Sequence, residues 1–100
     1  MSQSPNFESF DDMKASMRFL VMLLDPGTAE MERLELLEEA KRHNINRFKF
    51  YQAVKELKRL GLIEDMQPNT TGKRKVYTAL TEKGREIASL VVKIRDILES

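Results

Sequence analysis

The chain contains no cysteine, a single histidine and no apolar run longer than the six residues of 19–24. Without cysteine there is neither a disulfide framework nor a thiolate metal site, and the lone His43 cannot form a metal-sensing cluster. That composition is compatible with a reducing, intracellular setting. Six apolar residues fall far short of the roughly 20 that a bilayer span requires, and the acidic N-terminal stretch lacks the basic start of a signal peptide. The expectation is a soluble, cytoplasmic protein with no membrane partner. Charge of one sign is scarce as well: 17 Lys/Arg against 16 Asp/Glu leave a net charge of +1, which by itself speaks against a nucleic-acid partner. Catalytic groups are equally thin. Gly72-Lys73-Arg74 lacks the glycine spacing of a phosphate-cradling loop, and the glutamates of residues 30–39 recur as a solvated helix face does. Neither an enzyme nor a bound cofactor is expected.

What is present is unevenly distributed. Residues 1–40 hold 3 Lys/Arg and 9 Asp/Glu, residues 41–85 hold 12 and 4, and residues 86–100 hold 2 and 3. The middle of the chain is therefore strongly basic, which aims a positive surface at a partner while the whole molecule stays near neutral. One hundred residues with 41% hydrophobic content suffice for one modest core and one domain.

The basic middle is organised around one helix, predicted from residue 46 to about 60. At 100° per residue Phe50, Val54, Leu57 and Gly61 share a narrow arc, with Ala53 and Leu60 at its shoulder, and this is a core face. The opposite side collects Phe48, Gln52, Lys55 and Arg59, flanked by Lys49, Tyr51 and Glu56. Asn46 is the preferred N-cap, Gly61 can take the positive φ that ends the helix, and Leu62-Ile63 opens a strand.

The run Val54-x-x-Leu57-x-x-x-Gly61-Leu62-Ile63, followed by a basic turn and then Tyr77-x-x-Leu80-Thr81-Glu82-Lys83-Gly84, resembles the winged helix-turn-helix regulators of the MarR-like and PadR-like kind. The resemblance covers residues 13–84. It implies a fold that is mainly α with a small β-hairpin wing, in the order helix, strand, helix, helix, strand, strand, helix. The turn His43-Asn44-Ile45-Asn46 departs from the pattern in lacking glycine.

Along the chain, residues 1–8 are expected to form a flexible N-terminus and residues 9–84 the winged-helix DNA-binding domain. Ser9 would cap a first helix starting near Asp11, whose second half is apolar nearly all round and which ends at Asp25-Pro26-Gly27. Residues 28–31 are expected as the short first strand, and residues 32–43 as a second helix with Leu34, Leu37 and Ala40 inward, Leu36 beside them and glutamates outward. Strand residues 64–67 and 73–79 flank a turn at 68–72, with Val76 inward and Lys73, Arg74 and Lys75 forming a cationic wing. Thr81 caps a last helix, residues 82–100, assigned to dimerisation. Its Ile87, Val91, Ile94 and Leu98 follow a four-three-four spacing widened by Leu90 and Ile97. The methionines lie mostly on apolar stripes and are read as core filler, not as a ligand pocket.

The resemblance and the charge pattern together predict a homodimeric transcriptional regulator that binds double-stranded DNA in a sequence-specific way and is nucleoid-associated. The expected DNA-contacting residues are Asn46, Arg47, Phe48, Lys49, Tyr51, Gln52, Lys55, Arg59, Lys73, Arg74 and Lys75, and the expected dimer contacts are Ile87, Leu90, Val91, Ile94 and Leu98. Two alternatives stand beside this: a winged-helix protein-interaction module using the acidic second helix and Phe48, and a non-specific architectural DNA-binding protein.

Overall fold

The computed structural model describes residues 14–67 and 75–100. Four helices and one hairpin follow in the order α1 (Ala15–Met22), α2 (Arg33–Arg42), α3 (Arg47–Arg59), β1 (Ile63–Met66), β2 (Tyr77–Leu80) and α4 (Glu82–Glu99). The expected flexible N-terminus, the Ser9 cap with Asp11 and Asp12, and the wing turn with Lys73 and Arg74 lie outside the described residues.

Among the described residues α1 begins at Ala15, with Lys14 (ψ 140°) in the cap position, and the start near Asp11 expected from sequence lies outside them. Its second half is buried on several sides, with Phe19 and Leu20 fully enclosed and Met22 and Leu23 nearly so, and the helix packs on both α3 and α4. The Phe19 and Phe50 rings meet edge to face at 5.3 Å, a geometry in which the positive ring edge of one addresses the negative face of the other. Leu36, Ile45 and Leu57 complete the fully buried group. Each such side chain contributes roughly 1.5–3 kcal/mol by leaving water.

The expected first strand is corrected. Pro26–Glu30 forms a 3-10 turn, and only Glu32 makes an isolated antiparallel bridge, to Tyr77. The local hydrogen bonds explain the difference: Asp25 accepts from the Gly27 N–H, and the Thr28 hydroxyl donates to the Asp25 carbonyl at 2.7 Å. Side chains of this type offer the backbone an alternative to a ladder. In α2 the inward residues are Leu36, Leu37 and Ala40, whereas Leu34, expected inward, is 67% exposed. Ala40 and Leu36 define the buried arc, and Leu34 lies about 120° from Ala40 around the axis.

Both helices of the helix-turn-helix close with the same device. After α2 the Ile45 N–H reaches the Ala40 carbonyl and the Asn44 N–H the Lys41 carbonyl; after α3 the Leu62 N–H reaches Leu57 and the Gly61 N–H reaches Lys58. This paired pattern requires a left-handed residue between, supplied by Gly61 at φ 75° and by Asn44 at φ 61°. Asn44 thus replaces the missing glycine of the turn, and Ile45 and Leu62 plug the core behind it. The antiparallel hairpin pairs Ile63 with Leu80 through Met66 with Tyr77. Its enclosed β2 residue is Thr78; Val76, expected inward, is half-buried. Of the methionines, Met22 is buried and Met66 is 53% exposed, so core filling does not describe them all.

Candidate nucleic-acid interface

Asn46 fixes the start of α3. Its Oδ1 accepts from the Lys49 N–H at 2.8 Å, a cap worth about 1 kcal/mol that sets which residues of the first turn point outward. Phe50, Ala53, Val54 and Leu57 enter the core, and the other side of the helix is solvent. Phe48 is 71% exposed, and Arg47, Lys49, Gln52, Lys55 and Arg59 are all exposed. Tyr51 is held from two sides, edge to face with Phe50 at 5.0 Å and under the Arg47 guanidinium at 5.9 Å. No ion pair joins Arg47, Lys49, Lys55 or Arg59 to another described residue. Lys49 and Lys55 are open to solvent, while Arg47 lies over the Tyr51 ring and the charge of Arg59 also acts on Glu56.

The acid on this side of α3, Glu56, is paired. Glu56 pairs with Lys14 at 3.0 Å, and that hydrogen bond, stronger than the opposing effect of burial, holds its carboxyl below the ordinary glutamate range. An open cleft of about 800 Å³ separates the start of α1 from this side of α3, with Lys14, Arg18, Lys49, Lys55 and Arg59 on its walls. Arg18 is buried and donates to the His43 carbonyl at 2.8 Å, tying α1 to the turn that precedes α3.

The sequence-predicted residues of α3 therefore share one exposed surface. Lys73 and Arg74 lie outside the described residues; Lys75 is half-buried, with its ammonium 3.4 Å from Glu32 at the start of α2. Sequence reasoning missed three residues that join the hairpin to the helices: Arg33, Lys58 and Asp65, where Asp65 pairs with both cations. Pairs separated by 32 and 7 positions leave no local signature beyond charge.

The predicted α4 face divides in two. Gly84, Ala88 and Val91 are buried within the chain, Ile87 and Leu98 are half-buried, and Leu90, Ile94 and Ile97 are 50%, 47% and 73% exposed. Val91, expected at the dimer contact, is thus already covered by the monomer. At its start α4 is locked to the end of α3. The Thr81 hydroxyl accepts from the Gly84 N–H and donates to the Gly61 carbonyl at 2.7 Å, while the Thr81 N–H donates to the Leu62 carbonyl.

Comparison with solved structures finds this architecture in SSV1 F-93, with a TM-score of 0.66 and 17% identity over 87% of this chain and 91% of that one. RV1404 from Mycobacterium tuberculosis is similar at a TM-score of 0.63 and 25% identity, over 85% of this chain and 54% of that one. The chain thus spans about half the length of RV1404. No protein-family model matches the chain, and no curated protein matches it. The fold is a winged helix-turn-helix. Among the described residues no group of His, Cys, Asp or Glu could hold a metal ion, and no helix is long and apolar enough to cross a membrane.

Proposed function

We propose that the protein binds double-stranded DNA as a dimeric transcriptional regulator, with α3 in the major groove and the basic wing on the backbone or in the minor groove. The observation that carries this reading is the outward side of α3. A capped helix on a rigid core presents a glutamine, an aromatic ring and four cations unpaired among the described residues, on a fold shared with SSV1 F-93 and RV1404. Phe48, Lys49 and Gln52 belong to its N-terminal half, the part that approaches base edges, whereas Arg47, Lys55 and Arg59 serve phosphates. Lys73 and Arg74 supply the wing charge, with Lys75, which reaches Glu32, at its base. The apolar stripe of Leu90, Ile94 and Ile97 on α4, flanked by Ile87 and Leu98, faces a second copy.

The test is a gel-shift series at several salt concentrations, with random duplex and with duplexes enriched from a random pool by the protein. The reading expects a steep fall of log K with log salt and at least one enriched sequence bound more than about 1,000-fold above random. Salt-dependent binding with no enriched sequence would make the protein architectural. Salt-insensitive or absent binding would reject the DNA reading.

A further inference from the structure

An aspartate beside a DNA-binding helix repels the partner, so its presence there calls for a second role. Asp65 of β1 lies where three elements meet. One carboxylate oxygen accepts from Arg33 Nη2 at 2.5 Å, at the start of α2, and the other from Lys58 Nζ at 2.6 Å, in the last turn of α3. Burial pushes this carboxyl upward, yet the hydrogen bonds and charges of Lys58 and Arg33 outweigh it and hold the group ionised below the ordinary aspartate range.

The other strand is tied to the same helix start. The Arg33 N–H donates to the Val76 carbonyl at 2.9 Å, Glu32 bridges Tyr77, and Lys75 reaches Glu32. A two-stranded hairpin is marginal by itself, so its attitude toward the helices depends on such ties. Among the described residues Asp65 is the β1 side chain whose ion pairs reach both helices of the helix-turn-helix. We propose that Asp65 is a positioning residue that sets the angle of the wing against α3, so that wing and helix address the same stretch of duplex. The inference rests on the DNA-binding reading.

Asn cannot take over this role. Its single carbonyl oxygen serves one cation, and its NH₂ would face the other; Arg33, with its side chain 20% exposed and its Nε buried without a partner, would lose its anion. Mere surface charge predicts the opposite sign: removing an acid from a basic face strengthens binding to every duplex. The experiment compares wild type, Asp65→Asn and Asp65→Glu on the enriched and random duplexes, and measures amide hydrogen exchange of the free proteins. The expected result is an on-the-order-of-tenfold loss on the enriched duplex, comparable to one lost base contact, with random binding unchanged or stronger. Exchange at residues 77–80 should accelerate in Asp65→Asn while Phe50 and Leu57 keep their protection, and Asp65→Glu, which retains both oxygens, should restore both readouts. A uniform rise in affinity, or hairpin exchange unchanged in Asp65→Asn, overturns the proposal. If the wild type binds no duplex, the DNA reading fails by itself, and the exchange measurement still decides whether Asp65 holds the hairpin.

Discussion

α3 and α4 are both amphipathic, both capped by a side chain at their first turn, and both leave one face without a partner in the monomer, yet those faces differ in kind. α3 shows solvent a glutamine, a phenylalanine and cations; α4 shows it Leu90, Ile94 and Ile97. A cationic face gains little from a second identical copy and much from a polyanion, whereas an apolar stripe gains from leaving water against another apolar stripe. The different chemistry of the two uncovered faces is why we propose a different partner for each helix. Their relative placement rests on α1, which packs on both, and on the Thr81 joint, which ties the α4 start to the Gly61 and Leu62 carbonyls just after α3.

The most damaging change is therefore at the joint. A Cβ on Gly84 would lie 1.8 Å from the Leu62 carbonyl oxygen, which is backbone and already accepts from Thr81. Gly84→Ala should cost about 3 kcal/mol or more, a large share of the roughly 5–15 kcal/mol available to a small domain. Thermal unfolding should show it. Gly27→Ala, whose added Cβ meets only the Asp25 side chain at 3.4 Å, serves as the mild control. Equal stability of the two variants would show that α4 does not need its close seat against the Leu62 backbone.

Next in size is the α4 face itself. Ile94→Glu places a charge in the proposed seam and should shift the equilibrium toward monomer by on the order of a hundredfold or more, with little change in monomer stability, because Ile94 is exposed there. Sedimentation equilibrium separates these effects. A wild type that sediments as a monomer at tens of micromolar would remove the basis of the comparison, since α4 would then have no partner of its own kind.

The local half of this architecture was legible in sequence. Asn46, Gly61 and Thr81 are caps whose chemistry acts within a few residues, so the bounds of α3 and the start of α4 follow from composition and spacing. The exposed side of α3 was legible for the same reason: a 100° period separates its two faces. Selections made by distant neighbours were not. Leu34 and Leu36 are equally apolar, and only the placement of α2 on α3 decides which is buried. Thr28 took a 3-10 turn through two bonds to nearby carbonyls, against a strand that the fold pattern suggested. The Asp65 ties reach 32 and 7 positions along the chain, and a row of charges does not reveal its pairings.

The α3 face can be sharpened at one atom group. Gln52 is exposed, in the N-terminal half of the helix, and its amide can donate and accept at once, as adenine recognition requires. Gln52→Ala should cost about 1–3 kcal/mol on an enriched duplex and much less on random DNA, with unfolding unchanged. Equal losses on both duplexes would reassign Gln52 to general attachment and leave base reading to Phe48 and Lys49.

The smallest effect concerns two acids that neighbouring cations keep ionised. Lys14 lowers Glu56; at Asp65, Lys58 and Arg33 prevail over burial. In the unfolded chain both carboxyls protonate near pH 4, while in the fold they hold their charge to lower pH. Their contribution is therefore complete above the unfolded values and fades as pH falls through the folded ones. Between pH 7 and about 5 the stability they confer should be flat, and below about pH 4 it should drop. Asp65→Asn should remove part of that acid slope and leave the rest to Glu56, whose Lys14 pair is more exposed and more easily screened by salt. Denaturant unfolding at pH 7 and at pH 3.5 measures the difference between wild type and Asp65→Asn. An Asp65→Asn protein with the wild-type acid slope would mean that the carboxylate is no better stabilised in the fold than in the open chain, and the hairpin tie would then be weak at neutral pH as well.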